Sequence, residues 1–537
     1  MDKLFIRLLK ARGLTPSFLS PKYEELSDPF SLKSMDKATS RIKKAIKNHE
    51  KILIYGDYDV DGVTASTLME QTLIFAGVNP DHITIMLPDR FADGYGMSPK
   101  LIKKAQAISA TLVITVDCGS RNHEIVSGLN ELKIDTIVTD HHETDDEMPE
   151  ATAVINPHRK DAPTEALQNL AGVGVAFKLA QALVQNNLIS PGQEKWLLDL
   201  VLIGTICDNM TLIGENRILG FYGLKVLTKT RRPGLKELMK LAGVKTLTSE
   251  SIGFQIGPRL NAAGRLDTAD IALNLLRSKS APEAAALAAK LEGLNKKRKL
   301  EQNSATREIK NRGIGDDPVI IETGNWHEGI LGIIAGRLVE EYHKPAFVLA
   351  NTTDGFYKGS GRSFGDFNLA DALNFAKSSI ISGGGHAAAA GVKVHQDNLF
   401  KFREQINEYY RSLKLADQER FLKVKPDLEV ENLSDFSLDL LDDLKSLEPY
   451  GAGNEEPIFR LKNVEILENR KMGAEGQHLR LDVKGKDGKI LKLVAFYAPE
   501  NWLRIEPGEQ LDVTIKLIEN EWNGTRSVEG HIVDIVL

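Results

Sequence analysis

The 537-residue sequence contains only two cysteines, Cys118 and Cys207. Two distant thiols are too few for a zinc ribbon, and they do not form the paired framework that stabilises small secreted domains. Each thiol is adjacent in the chain to an aspartate, Asp117 or Asp208. We therefore predict that both cysteines are small residues that pack like apolar side chains behind a site.

A long hydrophobic run is also missing from the chain. The longest apolar segment, residues 196–207, is interrupted by Asp199 and falls well short of the roughly 20 residues that a membrane span needs. The N-terminus intersperses Lys3 and Arg7 among leucines, so it lacks the continuous apolar region of a secretion signal. We expect a cytoplasmic protein with no membrane partner.

Positive charge is not in excess, because the formal net charge is −6. A negative total argues weakly against a nucleic-acid binder, since phosphate contacts need Lys and Arg. Two local clusters are nevertheless basic: Lys229, Arg231, Arg232 and Lys236, and then Lys296, Lys297, Arg298 and Lys299. A charge run on a helix is often only a solvated face, and both interpretations stay open. With 42% hydrophobic residues, the chain is long enough for three globular domains.

Carboxylates are concentrated in the loop Gly56-Asp57-Tyr58-Asp59-Val60-Asp61-Gly62, directly after the apolar run 52–55. Three like charges this close repel strongly unless a cation neutralises them, so the pattern indicates a divalent-metal site. A calcium-binding EF-hand is excluded, because its twelfth position needs a bidentate Glu and holds Leu68.

Other apolar runs of the same kind also end in polar residues. Runs at 83–87, 112–116 and 136–139 lead into Asp89-Arg90, Asp117 and Asp140-His141-His142. This alternation with helix-length segments predicts a doubly wound parallel α/β sheet, in which ligands bind beyond the carboxyl ends of the strands. Carboxylates with imidazoles suit Mn²⁺ or Fe²⁺ better than Mg²⁺, so manganese is the first choice.

These motifs resemble a known family. Asp140-His141-His142 with the Asp-rich loop resembles the DHH phosphoesterase superfamily, and the string 56–62 resembles its RecJ branch, the single-strand-specific exonucleases. Further matching strings occur in the family's order: Leu87-Pro88-Asp89-Arg90, Gly94-Tyr95-Gly96, Val116-Asp117-Cys118-Gly119, Gly257-Pro258-Arg259-Leu260-Asn261-Ala262-Ala263-Gly264-Arg265, Trp326-His327-Glu328-Gly329-Ile330, Lys358-Gly359-Ser360-Gly361-Arg362-Ser363, Gly383-Gly384-Gly385-His386 and Glu448-Pro449-Tyr450-Gly451-Ala452-Gly453-Asn454. The resemblance therefore covers nearly the whole chain.

The resemblance and the strand pattern together imply four parts. Residues 1–220 would form the doubly wound parallel-sheet DHH catalytic domain, and residues 221–315 a helical connector. Residues 316–415 would form a smaller α/β DHH-associated substrate-binding domain, and residues 427–537 an OB-like β-barrel that binds nucleic acid. Four aromatic residues of the barrel either stack on bases or fill its core: Phe496, Tyr497, Trp502 and Trp522.

The resemblance also implies a ligand set for two Mn²⁺ ions, with Mg²⁺ as the alternative ion. Asp117 would bridge the pair, and the remaining ligands would be Asp61, His141 and Asp208 for one ion and Asp57 and Asp59 for the other. Two ions about 3.5 to 4 Å apart can activate water and stabilise both oxygens of a phosphoryl displacement. His142 would contact the scissile phosphate or assist proton transfer, and Asp140 would act with it by orienting a neighbouring histidine.

One local departure concerns Asp208, which follows Ile206-Cys207, whereas the family has Val-Ala or Ile-Ala there. The carboxylate is retained, so Asp208 stays in the predicted ligand set. The predicted substrate-binding residues are Arg90, Tyr95, Arg259, Asn261, Arg265, Ser360, Arg362 and His386. The glycine strings near the last three can bring backbone N–H groups close to a phosphate, although glycines also serve tight turns.

The implied activity is degradation of single-stranded DNA from its 5′ end to mononucleotides, in DNA repair and recombination. Single-stranded DNA would be the principal partner, with a single-strand-binding protein and a helicase as further partners. A nanoRNase or small-nucleotide phosphodiesterase would share the metal site, but such relatives generally lack the OB-like extension. A non-catalytic replication scaffold is the third hypothesis, and the complete ligand set argues against it.

Overall fold

The computed structural model describes residues 1–415, 424–474 and 476–536. These residues divide into two compact units. The larger unit contains residues 27–210 and 222–415, and the smaller unit contains residues 1–26, 211–221 and 424–536. Each helix in the described part of the chain is too short or too polar to cross a membrane.

The chain begins with α1 (Lys3–Arg12) and α2 (Pro16–Leu19), which belong to the smaller unit. The larger unit then builds a five-stranded parallel sheet in the order β2-β1-β3-β4-β5. Its elements are α3 (Met35–Lys47), β1 (Ile52–Tyr55), α4 (Val60–Phe75), β2 (Ile83–Met86), α5 (Pro99–Ala107), β3 (Leu112–Val116), α6 (His123–Glu131), β4 (Asp135–Thr139), β5 (Ala153–Ile155) and α7 (Gly172–Gln185). The predicted doubly wound parallel sheet is confirmed.

The sheet is buried because its central strands β1 and β3 are apolar except for Thr115. All residues of β1 and β3 are buried, as expected for parallel strands that are covered on both faces. Tyr55 at the end of β1 pairs with Met86 of β2 and with Thr115 of β3. The carboxyl ends of these strands therefore meet at one edge, where the polar residues of the sequence motifs follow.

A helical segment connects this sheet to the next one. It consists of α8 (Leu198–Cys207), α9 (Gly214–Thr228), α10 (Pro233–Ala242), α11 (Ser249–Ser251), a π-helical turn (Ile252–Ile256), α12 (Gly257–Leu266), α13 (Asp270–Arg277) and α14 (Ala281–Arg312). The 32-residue α14 starts after Ser280, whose side chain accepts from the backbone N–H of Glu283. It ends at Gly313, which has a φ of 82°.

A second sheet of the larger unit has the order β6-β7-β8-β10-β9. Its elements are β6 (Ile320–Gly324), α15 (Leu331–Tyr342), β7 (Ala346–Asn351), β8 (Phe356–Arg362), α16 (Leu369–Phe375), β9 (Ser382–Gly385), β10 (Ala389–His395) and α17 (Leu399–Ser412). The core is built from Phe347, Phe367 and Phe402, which are all fully buried. The edge strand β9, in contrast, is exposed at all four residues.

The smaller unit contains a six-stranded sheet in the order β11-β12-β13-β14-β16-β15, and a further pairing of β12 with β15 closes five of these strands into a ring, with β11 attached to β12. Its elements are β11 (Leu428–Val430), α18 (Leu438–Leu444), β12 (Phe459–Met472), β13 (His478–Lys484), β14 (Ile490–Ala495), β15 (Gln510–Trp522) and β16 (Thr525–Val536). Pairing of Phe459 with Ile515 brings the two strands together and closes the barrel. The predicted OB-like β-barrel is confirmed.

Two details of the smaller unit differ from or refine the sequence analysis. Leu4, Phe5 and Leu8 of α1 are buried in the core of the barrel unit, so the start of the predicted 1–220 domain packs with the C-terminal residues. The N-terminal apolar residues have a 3.6-residue period that predicts a buried helix face but not its partner. Among the barrel aromatics, Phe496, Tyr497 and Trp522 are exposed by 60%, 79% and 75%, whereas Trp502 packs against the core.

Candidate metal centre

Three neighbouring strand ends place the acidic and histidine motifs at one edge of the first sheet. Asp57 follows β1, Asp117 follows β3, and Asp140-His141-His142 follows β4. Because β1 pairs with β3 and β3 pairs with β4 in parallel register, these residues come together although they are far apart in sequence. Asp208 joins them from the C-cap position of α8.

Two helix N-termini organise the Asp-rich loop. Asp59 is the N-cap of α4 and accepts from the Gly62 N–H at 3.1 Å. Asp61 lies in the first turn of α4 and accepts from the Gly172 and Val173 N–H groups of α7, at 2.6 and 2.9 Å. A carboxylate at a helix N-terminus is favoured by the unpaired N–H groups and the helix dipole. These contacts fix the orientation of Asp61, which is 2% exposed.

The backbone of Asp117 adopts the left-handed conformation, with a φ of 62°. Its N–H donates to the Thr139 carbonyl at 2.9 Å, and its side chain packs against Gly172. A Cβ atom at Gly172 would lie 2.4 Å from Asp117 Oδ1, so a side chain at this position would collide with the carboxylate. A strained conformation of a non-glycine residue often occurs where function requires a particular side-chain direction.

Asp117 and His141 connect three groups of potential metal ligands. Within each group, one ligand atom per residue lies within 4.8 Å of the others. The groups are Asp57, Asp59 and Asp117; Asp61, His141 and Asp208; and Asp117, His141 and His142. His141 Nε2 lies 3.1 Å from Asp117 Oδ1, 3.8 Å from Asp61 Oδ2 and 3.7 Å from Asp208 Oδ2.

The carboxyl groups of this centre disfavour their charged forms in the absence of a cation. Burial and the nearby charge of Asp59 raise the pKa of Asp57 to about 8. Burial, followed by carboxylate repulsion, also raises the pKa of Asp61 and of Asp208 to about 7. The pKa of Asp117 is raised well above its usual range by burial and by the charge of Asp61. Clustered carboxylates of this kind require neutralisation by protons or by cations.

Two buried carboxylate oxygens without hydrogen-bond partners favour neutralisation by cations over neutralisation by protons. Asp57 Oδ1 and Asp117 Oδ1 are buried, and neither has a hydrogen-bond partner within the described residues. Asp117 Oδ1 is near His141 Nε2, but their contact lacks hydrogen-bond geometry, and burial lowers the pKa of His141 and so favours neutral imidazole. Buried oxygens and neutral imidazole are the donors that bind divalent transition metals. The residues therefore fit a divalent-metal centre.

Asp140 lies outside the three ligand groups and holds His142 instead. Its carboxylate accepts from the N–H groups of Ser120, His141 and His142, at 2.9, 2.8 and 3.2 Å. It also bonds His142 Nδ1 at 2.8 Å. Burial alone would raise the pKa of Asp140, but this bond and the histidine charges hold it well below its usual range. Burial opposes the charge on His142, yet Asp140 raises the pKa of that imidazole to about 9.

Several supporting residues of the centre have no signal in the sequence motifs. Asn156, just after β5, donates from Nδ2 to the His142 carbonyl and to Ser120 Oγ, both at 2.9 Å. A Cβ atom at Gly204 of α8 would lie 2.7 Å from Asp61 Oδ1. Asn156 could have been predicted, because it is a polar residue at a strand end. The sequence around Gly172 and Gly204, in contrast, gives no indication that a carboxylate lies close to either glycine.

Several predicted substrate-binding residues form a basic group. The Arg90 guanidinium lies over the Tyr58 ring, 4.3 Å from its centroid, and Arg362 Nη1 donates to Ser360 Oγ at 3.1 Å. Burial, together with the charges of Arg90 and two other arginines that include Arg362, lowers the pKa of Arg265 to about 9. Arg90 in turn helps to stabilise the charged form of Asp57. A positive group therefore acts electrostatically on the acidic centre.

The other predicted substrate-binding residues are not all part of this basic group. The Tyr95 ring lies 5.0 Å from the His142 ring, and Asn261 lines a small cavity with Arg265. Arg259 Nε donates to Glu292 at 2.7 Å, which gives this guanidinium an intramolecular partner. His386 is exposed at the end of β9, and its N–H donates to the Ala389 carbonyl at 2.8 Å. The structure does not bring its ring into contact with the other described site residues.

Family models match three regions of the chain. The DHH family N-terminal domain matches residues 51–205, the DHHA1 domain residues 316–412, and the RecJ OB domain residues 427–534. A parallel sheet with these acidic and histidine groups at its carboxyl edge thus defines a divalent-metal phosphoesterase of the DHH class.

Within this class, relatives with one particular name match nearly the whole of this chain. The single-stranded-DNA-specific exonuclease RecJ of Bacillus subtilis is 36% identical over 547 residues, which cover 99% of this chain and 67% of that relative. The crystal structure of Thermus thermophilus RecJ with Mn²⁺ matches at a TM-score of 0.83 and 29% identity, over 99% of this chain and 75% of the other. The Mg²⁺ complex of that RecJ matches at 0.78 and 27%, over 100% and 74%. The chain belongs to the RecJ family.

Proposed function

We infer that this protein is a metal-dependent exonuclease that degrades single-stranded DNA from its 5′ end to mononucleotides. The observation that carries this inference is the convergence of three ligand groups on Asp117 and His141, next to a basic group. The Bacillus subtilis relative is named a single-stranded-DNA-specific exonuclease, and family models match residues 51–205, 316–412 and 427–534. A role in DNA repair and recombination accompanies this activity in the family.

For the metal site we propose two Mn²⁺ ions, with Mg²⁺ able to take their place. Asp61, His141 and Asp208 would hold one ion, Asp57 and Asp59 the other, and Asp117 would contact both. These assignments are supported by the grouping of the ligand atoms and by the buried, unpaired Oδ1 atoms of Asp57 and Asp117. When bound, such ions supply Lewis-acid stabilisation of phosphoryl oxygens and lower the pKa of water.

We assign the proton-carrying role to His142. Its Nδ1 is engaged by Asp140 at 2.8 Å, so Nε2 is the ring nitrogen that remains for the substrate. Asp140 raises the imidazole pKa, which favours the charged ring. A charged imidazole can donate a hydrogen bond to a phosphate oxygen and can deliver a proton to the leaving oxygen. Asp140 orients the ring and keeps the charge in place.

The basic group is assigned to the DNA strand. Arg90, Arg265 and Arg362 would bind phosphate oxygens, and Ser360 would support Arg362 through their 3.1 Å hydrogen bond. The absence of a side chain at Gly332 leaves room for Arg362, because a Cβ atom there would lie 2.8 Å from Arg362 Nη2. Tyr95, which is 51% exposed beside His142, offers a ring for base stacking. Single-stranded DNA is thus the partner that these residues recognise.

Other assignments stay predictions. They are the four domain bounds, the substrate roles of Arg259, Asn261 and His386, the single-strand-binding protein and helicase partners, and the cytoplasmic location. For the barrel, the exposed aromatic residues Phe496, Tyr497 and Trp522 would supply rings for base stacking of the kind that OB-like domains use.

The decisive experiment is cleavage of single-stranded DNA that is labelled at one end or the other, with Mn²⁺, Mg²⁺ and EDTA compared. We expect mononucleotides from the 5′ end, with Mn²⁺ best and with no cleavage in EDTA. Asp117→Asn should abolish cleavage, whereas Asp146→Asn, which changes an exposed aspartate paired with Lys160, should not. Products only from dinucleotides would favour a small-nucleotide phosphodiesterase, and no cleavage with any metal would favour a non-catalytic scaffold.

A further inference from the structure

Asn156 is a buried polar residue that joins the loops after three neighbouring strands. It follows β5 and is 1% exposed. Its Nδ2 donates to Ser120 Oγ, after β3, and to the His142 carbonyl, after β4, both at 2.9 Å. Its Oδ1 accepts from the His158 N–H at 2.7 Å. Both Nδ2 hydrogens and the amide oxygen are therefore used, and the two backbone partners fix which way the amide points.

A local turn accounts for one of these three hydrogen bonds. The bond from the His158 N–H to Asn156 Oδ1 spans two residues, which is an Asx turn. Asn79 makes the same turn with the Asp81 N–H at 3.1 Å, although Asn79 is exposed. An Asx turn thus requires neither burial nor contacts with other loops. The two bonds that Asn156 Nδ2 donates need another explanation.

The first Nδ2 bond connects Asn156 to the ring of His142 through two further residues. Ser120 Oγ accepts this bond, and the Ser120 N–H donates to Asp140 Oδ2 at 2.9 Å. The other oxygen, Asp140 Oδ1, bonds His142 Nδ1 at 2.8 Å. Ser120 and Asp140 are each 1% exposed, so water does not compete for these bonds. The position of Asn156 is therefore transmitted to the Asp140 carboxylate and from there to the imidazole.

The second Nδ2 bond holds the backbone of His142 directly, at its carbonyl. Two positions further along the chain, Thr144 Oγ1 donates to the His158 carbonyl at 3.1 Å, so the segment after β5 holds the segment after β4 at two points. Asp140 holds the other side of His142 by accepting from its N–H at 3.2 Å. The backbone is therefore fixed on both sides of a side chain that is itself 32% exposed.

The direction of the His142 ring matters because proton transfer requires the donor nitrogen to lie within hydrogen-bond reach of the reacting oxygen. A small misplacement caused by a residue outside the reacting groups can therefore reduce the rate strongly. Asn156 belongs to none of the three ligand groups. We therefore expect it to affect the chemical step more than metal binding.

We propose that Asn156 is a positioning residue for the proton-carrying His142, and that it acts through the His142 carbonyl and through Ser120 and Asp140. The proposal rests on the proposed nuclease function and adds to it a residue that lies outside the recognised sequence motifs. Asn156 would hold the ring so that Nε2 points to the leaving oxygen. Its effect would depend on the presence of the His142 ring.

The first test measures kcat and KM for single-stranded DNA with saturating Mn²⁺. Asn156→Ala should lower kcat by about 10- to 100-fold, the usual effect of losing a residue that orients a catalytic group. KM and the Mn²⁺ affinity in calorimetry should stay close to those of the wild type, because Asn156 holds neither substrate nor metal. A wild-type kcat with a raised KM would overturn the proposal.

A double-mutant cycle shows whether Asn156 acts through His142. The loss of kcat caused by Asn156→Ala is measured in the wild type and again in a His142→Ala background. Without the imidazole there is no ring to position, so the second replacement should have little further effect. The same loss in both backgrounds would overturn the proposal, because two independent residues give additive effects.

Asn407→Ala is the control for the loss of a buried asparagine. Asn407 lies on α17 and is 2% exposed; it accepts from the Val319 N–H at 3.0 Å and donates to the Arg403 carbonyl at 2.9 Å. Its replacement should lower the thermal midpoint but leave kcat unchanged. Asn79→Ala, which removes only an exposed Asx turn, should change neither. A loss of kcat in Asn407→Ala as large as that in Asn156→Ala would overturn the proposal in favour of general destabilisation.

Ser120→Ala is a second variant, and it tests the proposal even where Asn156→Ala does not fold. It removes the acceptor of one Nδ2 bond and keeps the backbone N–H that holds Asp140. We expect a loss of about 2- to 10-fold in kcat, the effect of one hydrogen bond. The loss should again disappear in the His142→Ala background. A folded Ser120→Ala protein with wild-type kcat would overturn the route through Ser120.

Hydrogen–deuterium exchange in EDTA provides a readout that needs no cleavage. The N–H groups of Ser120, His141 and His142 donate to Asp140, so their exchange reports whether this arrangement is intact. Asn156→Ala should accelerate exchange in the peptides that contain them, whereas the Asn407 variant should not. Unchanged exchange in a folded Asn156→Ala protein would overturn the proposal. Accelerated exchange in a protein that cleaves nothing would refute the nuclease function while supporting the link from Asn156 to His142.

Discussion

Gly172 and Asp117 are packed so closely that a Cβ atom at Gly172 would lie 2.4 Å from Asp117 Oδ1. The same glycine donates its N–H to Asp61 Oδ2 at 2.6 Å. One backbone position therefore supports both a carboxylate that is proposed to contact two ions and a carboxylate that is proposed to contact one. The start of α7 therefore positions two carboxylates of the metal centre.

Gly172→Ala should disrupt this arrangement. The added methyl group must displace the Asp117 carboxylate or α7, and a displacement of about 1 Å can reduce catalysis by about 100-fold. We expect a loss of this size in cleavage, together with weaker Mn²⁺ binding in calorimetry. Gly293→Ala is the control, since a Cβ atom there meets nothing within 4 Å. Wild-type metal affinity in Gly172→Ala would contradict the proposal that the start of α7 positions the carboxylates of the metal centre.

Asp140→Asn should change the pH dependence of cleavage. Asp140 raises the pKa of His142, so the charged imidazole persists to higher pH in the wild type than it would without this carboxylate, and it is lost as pH rises through the raised pKa. Without the carboxylate, the imidazole pKa falls, and the alkaline limb of the pH–rate profile should shift to lower pH. Activity at neutral pH should fall by about 10- to 100-fold. Asp145→Asn, at an exposed aspartate, is the control; an unshifted limb in Asp140→Asn would exclude the proposed role of His142.

Removing the metal should make stability depend on pH in a defined direction. The pKa values of Asp57, Asp61 and Asp208 are raised to about 8, 7 and 7 in the folded protein. Groups with raised folded pKa values stabilise the fold at low pH, and this contribution is lost as pH rises through about 7 to 8. The thermal midpoint in EDTA should therefore be lower at pH 8.5 than at pH 6. Mn²⁺ should raise it most at pH 8.5, because the carboxylates are then deprotonated and can bind the ion. A higher midpoint at pH 8.5 in EDTA would be inconsistent with the acidic cluster described above.

Arg362→Ala should weaken substrate binding without affecting metal affinity. A charged hydrogen bond to phosphate contributes about 1.5 to 3 kcal/mol, which corresponds to about 10- to 100-fold in KM. The loss should be larger for strands with a 5′-phosphate than for strands with a 5′-hydroxyl, whereas Mn²⁺ titrations should match the wild type. Arg121→Ala removes a half-exposed arginine and serves as the control. An equal loss of metal and substrate binding would reject the phosphate role of Arg362.

Much of the site follows from the sequence because its geometry follows from strand order. Asp57, Asp117 and His141 each come at the end of an apolar run, and parallel pairing brings such positions to one edge. What remained hidden comes from long-range backbone contacts. The N–H of Gly172 reaches Asp61 across 111 positions, and neither residue type reveals this bond. The amino-acid sequence does not reveal which backbone N–H group will donate to a distant carboxylate.

Packing partners were harder to predict than the elements themselves. The apolar face of α1 was predictable, but its burial against the C-terminal barrel depends on a core assembled from residues more than four hundred positions away. Arg298 shows the same difficulty, because a run of four basic residues is typical of a solvated face. Its burial depends on α8, α12 and α15, which lie elsewhere in the chain.

Strand β9 forms one of the two edges of the second sheet and is exposed at all four residues, three of which are glycines. Its outer edge offers hydrogen-bonding groups that could pair with an extended segment of another molecule, which is a common origin of protein aggregation. A four-residue strand is short, and glycine is a poor strand former because it loses much conformational freedom on ordering. The short length and the glycines of β9 therefore disfavour strand pairing at this edge of the sheet.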